Sequence, residues 1–187
     1  AQSWTKDRWD SLRLLTPNWQ SRLPGYQYQG PDSDGYMNMS QITDYLRGYA
    51  NAIDAPIEEN TTVHSVTSHG NTYLVRTNRG AWICDEVVIA NGACARPKIP
   101  PVANGVPDNI TQLSLGTYKS ADQIGRGGVL VVGASASGVQ IAAELCAAGH
   151  CVTIAVGEHI RAPRRYRGRD IQWWMDCSGV LDVRAKD

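Results

Sequence analysis

Phenylalanine is absent from this 187-residue sequence, whereas tryptophan and tyrosine number six and eight. An aromatic core must therefore be built from rings that carry a polar handle. An excess of charge is absent too, since eighteen basic residues meet eighteen acidic ones. No overall field draws such a chain to nucleic acid or to a membrane surface, and neither is expected as a partner. No apolar run approaches the roughly 20 residues that span a bilayer. Nothing after Ala1 shows the charged-then-apolar pattern of a signal peptide, so a cytoplasmic protein is expected. The five cysteines, Cys84, Cys94, Cys146, Cys151 and Cys177, are odd in number and form no C-x-x-C pair. That speaks against a disulfide framework and against a C-x-x-C redox pair. Cys84 and Cys151 fall in strand-like runs and Cys146 on an apolar helix face, so they read as small buried hydrophobes. His64, His69, His150 and His159 show no ligand spacing, and no metal is expected.

What is present is an ordinary globular balance, 42% apolar and 19% charged, with room for one domain or two small ones. The clearest pattern begins at Val129-Leu130-Val131-Val132, a buried-strand run between Gly127-Gly128 and Gly133. Ser137 to Ala148 follows as a helix, with Ile141, Ala142, Leu145 and Cys146 on its apolar face and Gly149 as its cap. Cys151 to Val156 is the next strand, which completes a βαβ unit. The first hundred residues are less regular. Ser40 to Ala52 reads as a helix capped by Ser40, with Ile42, Tyr45, Leu46 and Tyr49 on one side. Runs 61–66, 72–77 and 81–84 read as strands joined at His69-Gly70-Asn71 and Asn78-Arg79-Gly80. Val87 to Ala90 reads as a buried strand ending at Asn91-Gly92, and the prolines at 97, 100, 101 and 107 mark a linker.

Gly133-Ala134-Ser135-Ala136-Ser137-Gly138 stands between the strand and the helix of that βαβ unit. The first glycine permits a tight turn and the last lets helix and strand pack closely. The helix end offers free N–H groups and a positive dipole end to a pyrophosphate, and Ser135 fills the middle position, where only a small residue lets phosphate approach. Gly133, Ser135, Ser137 and Gly138 are thus candidates for a dinucleotide, although the same turn could serve an α/β protein that binds nothing. Beyond the second strand stand Arg161, Arg164, Arg165, Arg167 and Arg169, five arginines in nine residues. Guanidinium forks suit the 2′-phosphate of NADP, so Arg161, Arg164 and Arg165 are its candidates. Arg167 and Arg169 read as solvated, and Trp173 and Trp174 as core rather than a substrate or partner surface.

Several stretches resemble the flavin-containing monooxygenases, the single-component class that uses FAD and NADPH, and most closely a bacterial flavoprotein branch of it. Ser3-Trp4 with Arg8-Trp9-Asp10-Ser11-Leu12 resembles the segment that lies against FAD. Asp44-Tyr45-Leu46 through Tyr49-Ala50 resembles a Y-L-x-x-Y-A helix, Val87 to Gly92 a strand ending in A-[TN]-G, and Gly133 to Gly138 the NADPH loop. Two departures accompany the match. The motif F-x-G-x-x-x-H-x-x-x-[WY] has Ser114 in place of its histidine, with Tyr118 four residues on and no Phe or first Gly. The family's own FAD loop and its carboxy-terminal half have no counterpart in the sequence, which therefore reads as an internal fragment.

The resemblance implies an α/β fold: portions of two Rossmann-like nucleotide-binding domains, three-layer β/β/α, with a small antiparallel β section in the first. Residues 1–105 are then the remainder of an FAD-binding domain without its N-terminal βαβ unit, 106–127 a linker, and 128–187 the N-terminal half of an NADP-binding domain. Trp4, Arg8, Ala90, Asn91 and Gly92 would line FAD in the intact parent. The implied reaction uses NADPH and oxygen to oxygenate a small nucleophilic or carbonyl substrate, with activity lost in an isolated fragment. The alternative is a non-catalytic NADP(H)-binding module or scaffold. No catalytic residue is assigned, because the cofactors carry the chemistry. A homo-oligomer or swapped dimer would complete the sheet.

Overall fold

The computed structural model describes residues 2–92, 97–158 and 162–183. Two compact units emerge, one made of Ala1–Tyr49 with Pro97–Asp187 and the other of Ala50–Arg96.

In the first unit a short helix, α1 (Gln2–Thr5), leads into an irregular stretch that supplies Trp9 and Leu12 to the core. A 3₁₀ turn at Asn18–Gln20 precedes a two-rung hairpin, β1 (Arg22–Leu23) and β2 (Tyr26–Gln27), which turns at Gly25 with φ of 68°. Tyr26 packs its ring against Tyr45 and Tyr49 of α2 (Met39–Ala52), at centroid distances of 5.3 and 5.6 Å. The cap of α2 differs from expectation. Asn38, not Ser40, closes its first turn: Gln41 N–H donates to Asn38 Oδ1 and Asn38 N–H to Gln41 Oε1, both at 3.0 Å. This reciprocal pair satisfies two orphan donors where a serine two residues later would satisfy one.

The βαβ unit forms as read. Strand β6 (Gly128–Val132) pairs in parallel with β7 (Cys151–Ala155), and α3 (Ala136–Ala147) connects them. Gly149, at φ of 89°, ends α3, with the N–H of His150 donating to Leu145 O at 3.0 Å. Ile141, Ala142 and Leu145 are buried, and Ile141 and Leu145 pack with Trp9, Leu12 and Tyr118, with Val129, Val131 and Val152 beneath. The opposite face of the two strands is bare, with Leu130 62% and Val132 66% exposed. Cys151 lies on that bare face and Cys146 on the outer side of α3; both are exposed, while Cys84 is half-buried. Cysteine burial was read from apolar periodicity, which finds a face but not whether a layer covers it.

After β7 the chain forms a small hairpin, β8 (Arg165–Tyr166) and β9 (Arg169–Asp170), and a helix, α4 (Ile171–Cys177). Asp170 caps α4 by accepting from the N–H of Gln172 at 2.8 Å. This module is fastened to residues 15–36. Arg22 meets Asp176 at 2.6 Å, Gln20 donates to Gln172 at 3.4 Å, and Tyr36 donates its hydroxyl to Asp170.

The second unit is an antiparallel meander of β3 (Val63–His69), β4 (Thr72–Thr77) and β5 (Gly80–Cys84). Its turns fall at Gly70-Asn71 and Asn78-Arg79, with Gly70 at φ of 64°. Val87–Ala90 is not a strand. It lies outside regular structure with Val88 87% exposed. A buried parallel strand is held by neighbours on both edges and both faces, and the described residues supply none here.

Tyr118 provides a test of the core. It is 4% exposed, and burial, followed by the neighbouring charge of Glu144, pushes its pKa up to about 12. An unfolded tyrosine ionises near about 10. The stability tied to this group is complete below about pH 10 and is lost as pH rises towards the folded value. Urea midpoints should therefore fall between about pH 10 and 12, and fall distinctly less in Tyr118→Phe. Parallel profiles for the two proteins would contradict this.

Candidate nucleotide-binding site

The turn between β6 and α3 is set by two glycines. Gly133 adopts φ of 101°, a region that side chains disfavour, and its N–H donates to Ala155 O at 2.9 Å, which extends the β6–β7 pairing by one residue. Ser135 is the N-cap of α3, in extended conformation, and its side chain makes no capping bond. Gly138 sits where the first turn of α3 crosses the loop: a Cβ there would stand 2.0 Å from Gly133 O and 3.1 Å from Gly133 C. The fold thus brings Gly133, Ser135, Ser137 and Gly138 together around the amino end of a twelve-residue helix. The N–H groups of that first turn have no partner within the helix, and the dipole adds positive potential at the same point. Ser135 is exposed, so its hydroxyl is accessible there. This arrangement fits a pyrophosphate.

The arginine candidates separate. Arg161 lies outside the described residues. Arg164 is engaged: its Nε stands 2.8 Å from Asp170 Oδ2, it donates to Leu15 O, and its guanidinium lies 4.8 Å from the Tyr36 ring centroid. Arg165 is exposed and carries no ion pair among the described residues. Trp4 and Arg8 lie together in the first unit, with the Arg8 guanidinium 5.9 Å from the Trp4 ring centroid and Trp4 against the core. Ala90, Asn91 and Gly92 are exposed residues of the second unit.

A second feature was missed from sequence. Trp19, Asp34, Tyr36, Arg165, Arg169 and Trp173 line a cleft of about 150 Å³. Trp173, expected in the core, is half-buried on the cleft wall, while Arg169 is exposed as expected and also borders the cleft. The Gly between Arg167 and Arg169 is a hairpin signal and Asp170 a cap signal, but nothing local foretells that the hairpin meets Trp19, about 150 positions earlier.

A family model described as pyridine nucleotide-disulphide oxidoreductase matches residues 10–174. A protein named "Uncharacterized oxidoreductase CzcO-like" from Geobacillus kaustophilus is 39% identical over 95% of this chain and 51% of its own length. A probable indole-3-pyruvate monooxygenase of Arabidopsis thaliana is 29% identical over 90% of this chain and 42% of its own. Among solved structures, a flavin monooxygenase from Stenotrophomonas maltophilia aligns with a TM-score of 0.76 over 93% of this chain and 51% of that one. At 22% identity this last likeness speaks for the fold, and it agrees with the Rossmann-like α/β reading. The chain spans about half the length of the curated relatives it matches.

Proposed function

Since the chain belongs to the pyridine nucleotide-disulphide oxidoreductase family, with flavin monooxygenases among its relatives, we propose that it is the NADP-handling part of a flavin-dependent monooxygenase. Kinship with disulphide reductases, which the lack of a C-x-x-C pair spoke against, holds at the level of the family. The observation that carries the proposal is the turn at Gly133–Gly138, where Gly138 leaves no space for a side chain over Gly133 O.

In this reading the first turn of α3 neutralises the NADP pyrophosphate through its N–H groups and dipole, and the Ser135 hydroxyl adds a donor. Arg161 takes the 2′-phosphate, and Arg165, which lines the separate cleft of Trp19 and Trp173, is left out. Arg164 is left out because Asp170 and Leu15 O already hold it. NADPH supplies hydride and a bound flavin supplies the oxygen chemistry, directed at a small nucleophilic or carbonyl substrate. Trp4, Arg8 and Ala90–Gly92 are assigned to the flavin. The division into a flavin portion to residue 105, a linker over 106–127 and an NADP portion from 128 belongs to the same proposal. So does completion of the bare β6–β7 face by further polypeptide, in a homo-oligomer or swapped dimer.

Among the described residues one strand–glycine turn–helix cradle is present, and it is given to NADP. FAD therefore has no pyrophosphate seat in these residues. NADPH titration of the 187-residue chain should saturate and should exceed NADH in affinity. The same chain, incubated with excess FAD and desalted, should show no retained flavin band near roughly 450 nm. Equal affinity for NADH and NADPH would overturn the cofactor assignment, and a stoichiometric retained flavin would overturn the statement about FAD. The single cradle also favours a second reading, a non-catalytic NADP(H)-binding module. Flavin-dependent oxygen uptake driven by NADPH would exclude it.

A further inference from the structure

We propose that the cleft between Trp19 and Trp173 is a binding site for a small monocarboxylate with a single planar ring, anchored by Arg169. No residue of the 133–138 turn or of α3 lines it, so it is distinct from the pyrophosphate seat.

Its walls are aromatic and held in place. Trp173 stacks edge-on with Trp174 at 4.9 Å between centroids, and Trp174 Nε1 donates to Tyr166 O at 2.9 Å. Tyr36 is fixed by its hydroxyl on Asp170 and by the Arg164 guanidinium at its face. Side chains already ordered lose little further entropy when a ligand enters. A volume of about 150 Å³ has room for one small ring beside the aromatic wall, with the charged side chains at its polar part.

The charges select the ligand's ionic form. The carboxylate of Asp170 is balanced by Arg164, with Tyr36 and the Gln172 N–H also donating to it. That leaves Arg165 and Arg169 against Asp34, none of the three in an ion pair among the described residues, a local surplus of one positive charge. A monoanion matches that surplus, whereas a phosphate dianion would meet Asp34 with a charge in excess. The Arg169 guanidinium lies 5.4 Å from the Trp173 ring centroid, which orients its planar fork beside the aromatic wall. A guanidinium fork takes a carboxylate with two parallel hydrogen bonds while the ring lies along the indole.

The test uses benzoate, the neutral isostere benzamide and 2′,5′-ADP, each titrated by calorimetry into the full chain, Arg169→Gln and Arg169→Lys. Benzoate should bind and benzamide should not. Arg169→Gln should weaken benzoate by about tenfold or more, the loss of one charge-assisted pair. Arg169→Lys should recover part of that loss. Throughout, 2′,5′-ADP should change less than about twofold in the Arg169 variants and should not displace benzoate. Equal binding of benzoate and benzamide would overturn the proposal, as would benzoate binding that ignores Arg169→Gln. Mutual exclusion of benzoate and 2′,5′-ADP would overturn it too, by making the cleft the nucleotide's own seat. Failure of the NADP reading looks different: 2′,5′-ADP would not bind while benzoate still did.

Discussion

Replacing Gly138 by alanine is expected to abolish tight NADPH binding, with a loss of about 100-fold or more, while most of the fold persists. The added Cβ would stand 2.0 Å from Gly133 O, and both that atom and Gly133 C at 3.1 Å are backbone. No flexible side chain can yield, so the first turn of α3 must lift from the loop. A shift of about 1 Å in groups that position a ligand commonly costs about two orders of magnitude. The stability cost is smaller, about 1–3 kcal/mol, as for other overpacked sites. Two comparisons separate the effects. Gly149→Ala, at the other end of α3 with φ of 89°, meets no neighbouring atom but must hold a strained backbone. It should lower stability by about 1 kcal/mol and leave nucleotide affinity unchanged. Ser135→Ala removes only a hydroxyl and should weaken binding by no more than about tenfold, one hydrogen bond's worth. Fluorescence titration with NADPH and urea melts of the three variants give both readouts. Wild-type affinity in Gly138→Ala would mean that the turn does not hold the nucleotide.

The parts legible from sequence are those whose causes are local. In the βαβ unit a continuous apolar run gives way to a 3.6-residue apolar period and then to a second strand within about thirty residues, with Gly133 and Gly149 at the two changes of direction. The hairpins around Gly70 and Asn78 are local in the same way. What failed depends on distant chain. Val87–Ala90 has a strand's composition, but composition supplies no neighbour to pair with, and Val88 stays in solvent. Cys146 and Cys151 were placed in the interior because apolar periodicity was taken to imply a covering layer. The cap of α2 was misplaced by two residues because Asn38 and Ser40 are both good capping types, and only the bond to Gln41 decides between them. The engagement of Arg164 was only partly legible, since Asp170 stands six positions on but Leu15 and Tyr36 lie more than a hundred residues away. The cleft of Trp19 and Trp173 was hidden for the same reason.

Trp9→Ala should destabilise the first unit by about 3–5 kcal/mol, enough to unfold much of it at room temperature. Trp9 is 1% exposed and the largest fully buried side chain, in contact with Leu12, Tyr118, Ile141 and Leu145. The cost should lie towards the upper end because the segment around it cannot collapse into the space. Its backbone is fastened on every side. Asp10 N–H donates to Lys119 O at 2.9 Å, and Lys119 Nζ donates to Lys6 O at 2.6 Å and to Arg8 O at 3.0 Å. Ser11 donates to Glu144 at 2.7 Å, and the Gln140 amide makes two bonds of 3.2 Å with the Arg13 backbone. Those last three bonds end on α3, so the segment carrying Trp9 also holds the helix whose amino end forms the nucleotide turn. Trp9→Phe should behave differently. It leaves a smaller cavity, and it removes an indole N–H that is buried without an acceptor among the described residues. The relief of that unpaired donor offsets part of the lost packing, and the net change should stay within about 1.5 kcal/mol. Urea melts followed by far-UV circular dichroism would read both variants, and NADPH affinity should fall in Trp9→Ala together with the fraction folded. An unchanged midpoint in Trp9→Ala would place the core of this unit elsewhere. A Trp9→Phe protein as unstable as Trp9→Ala would show that the indole N–H is paired after all.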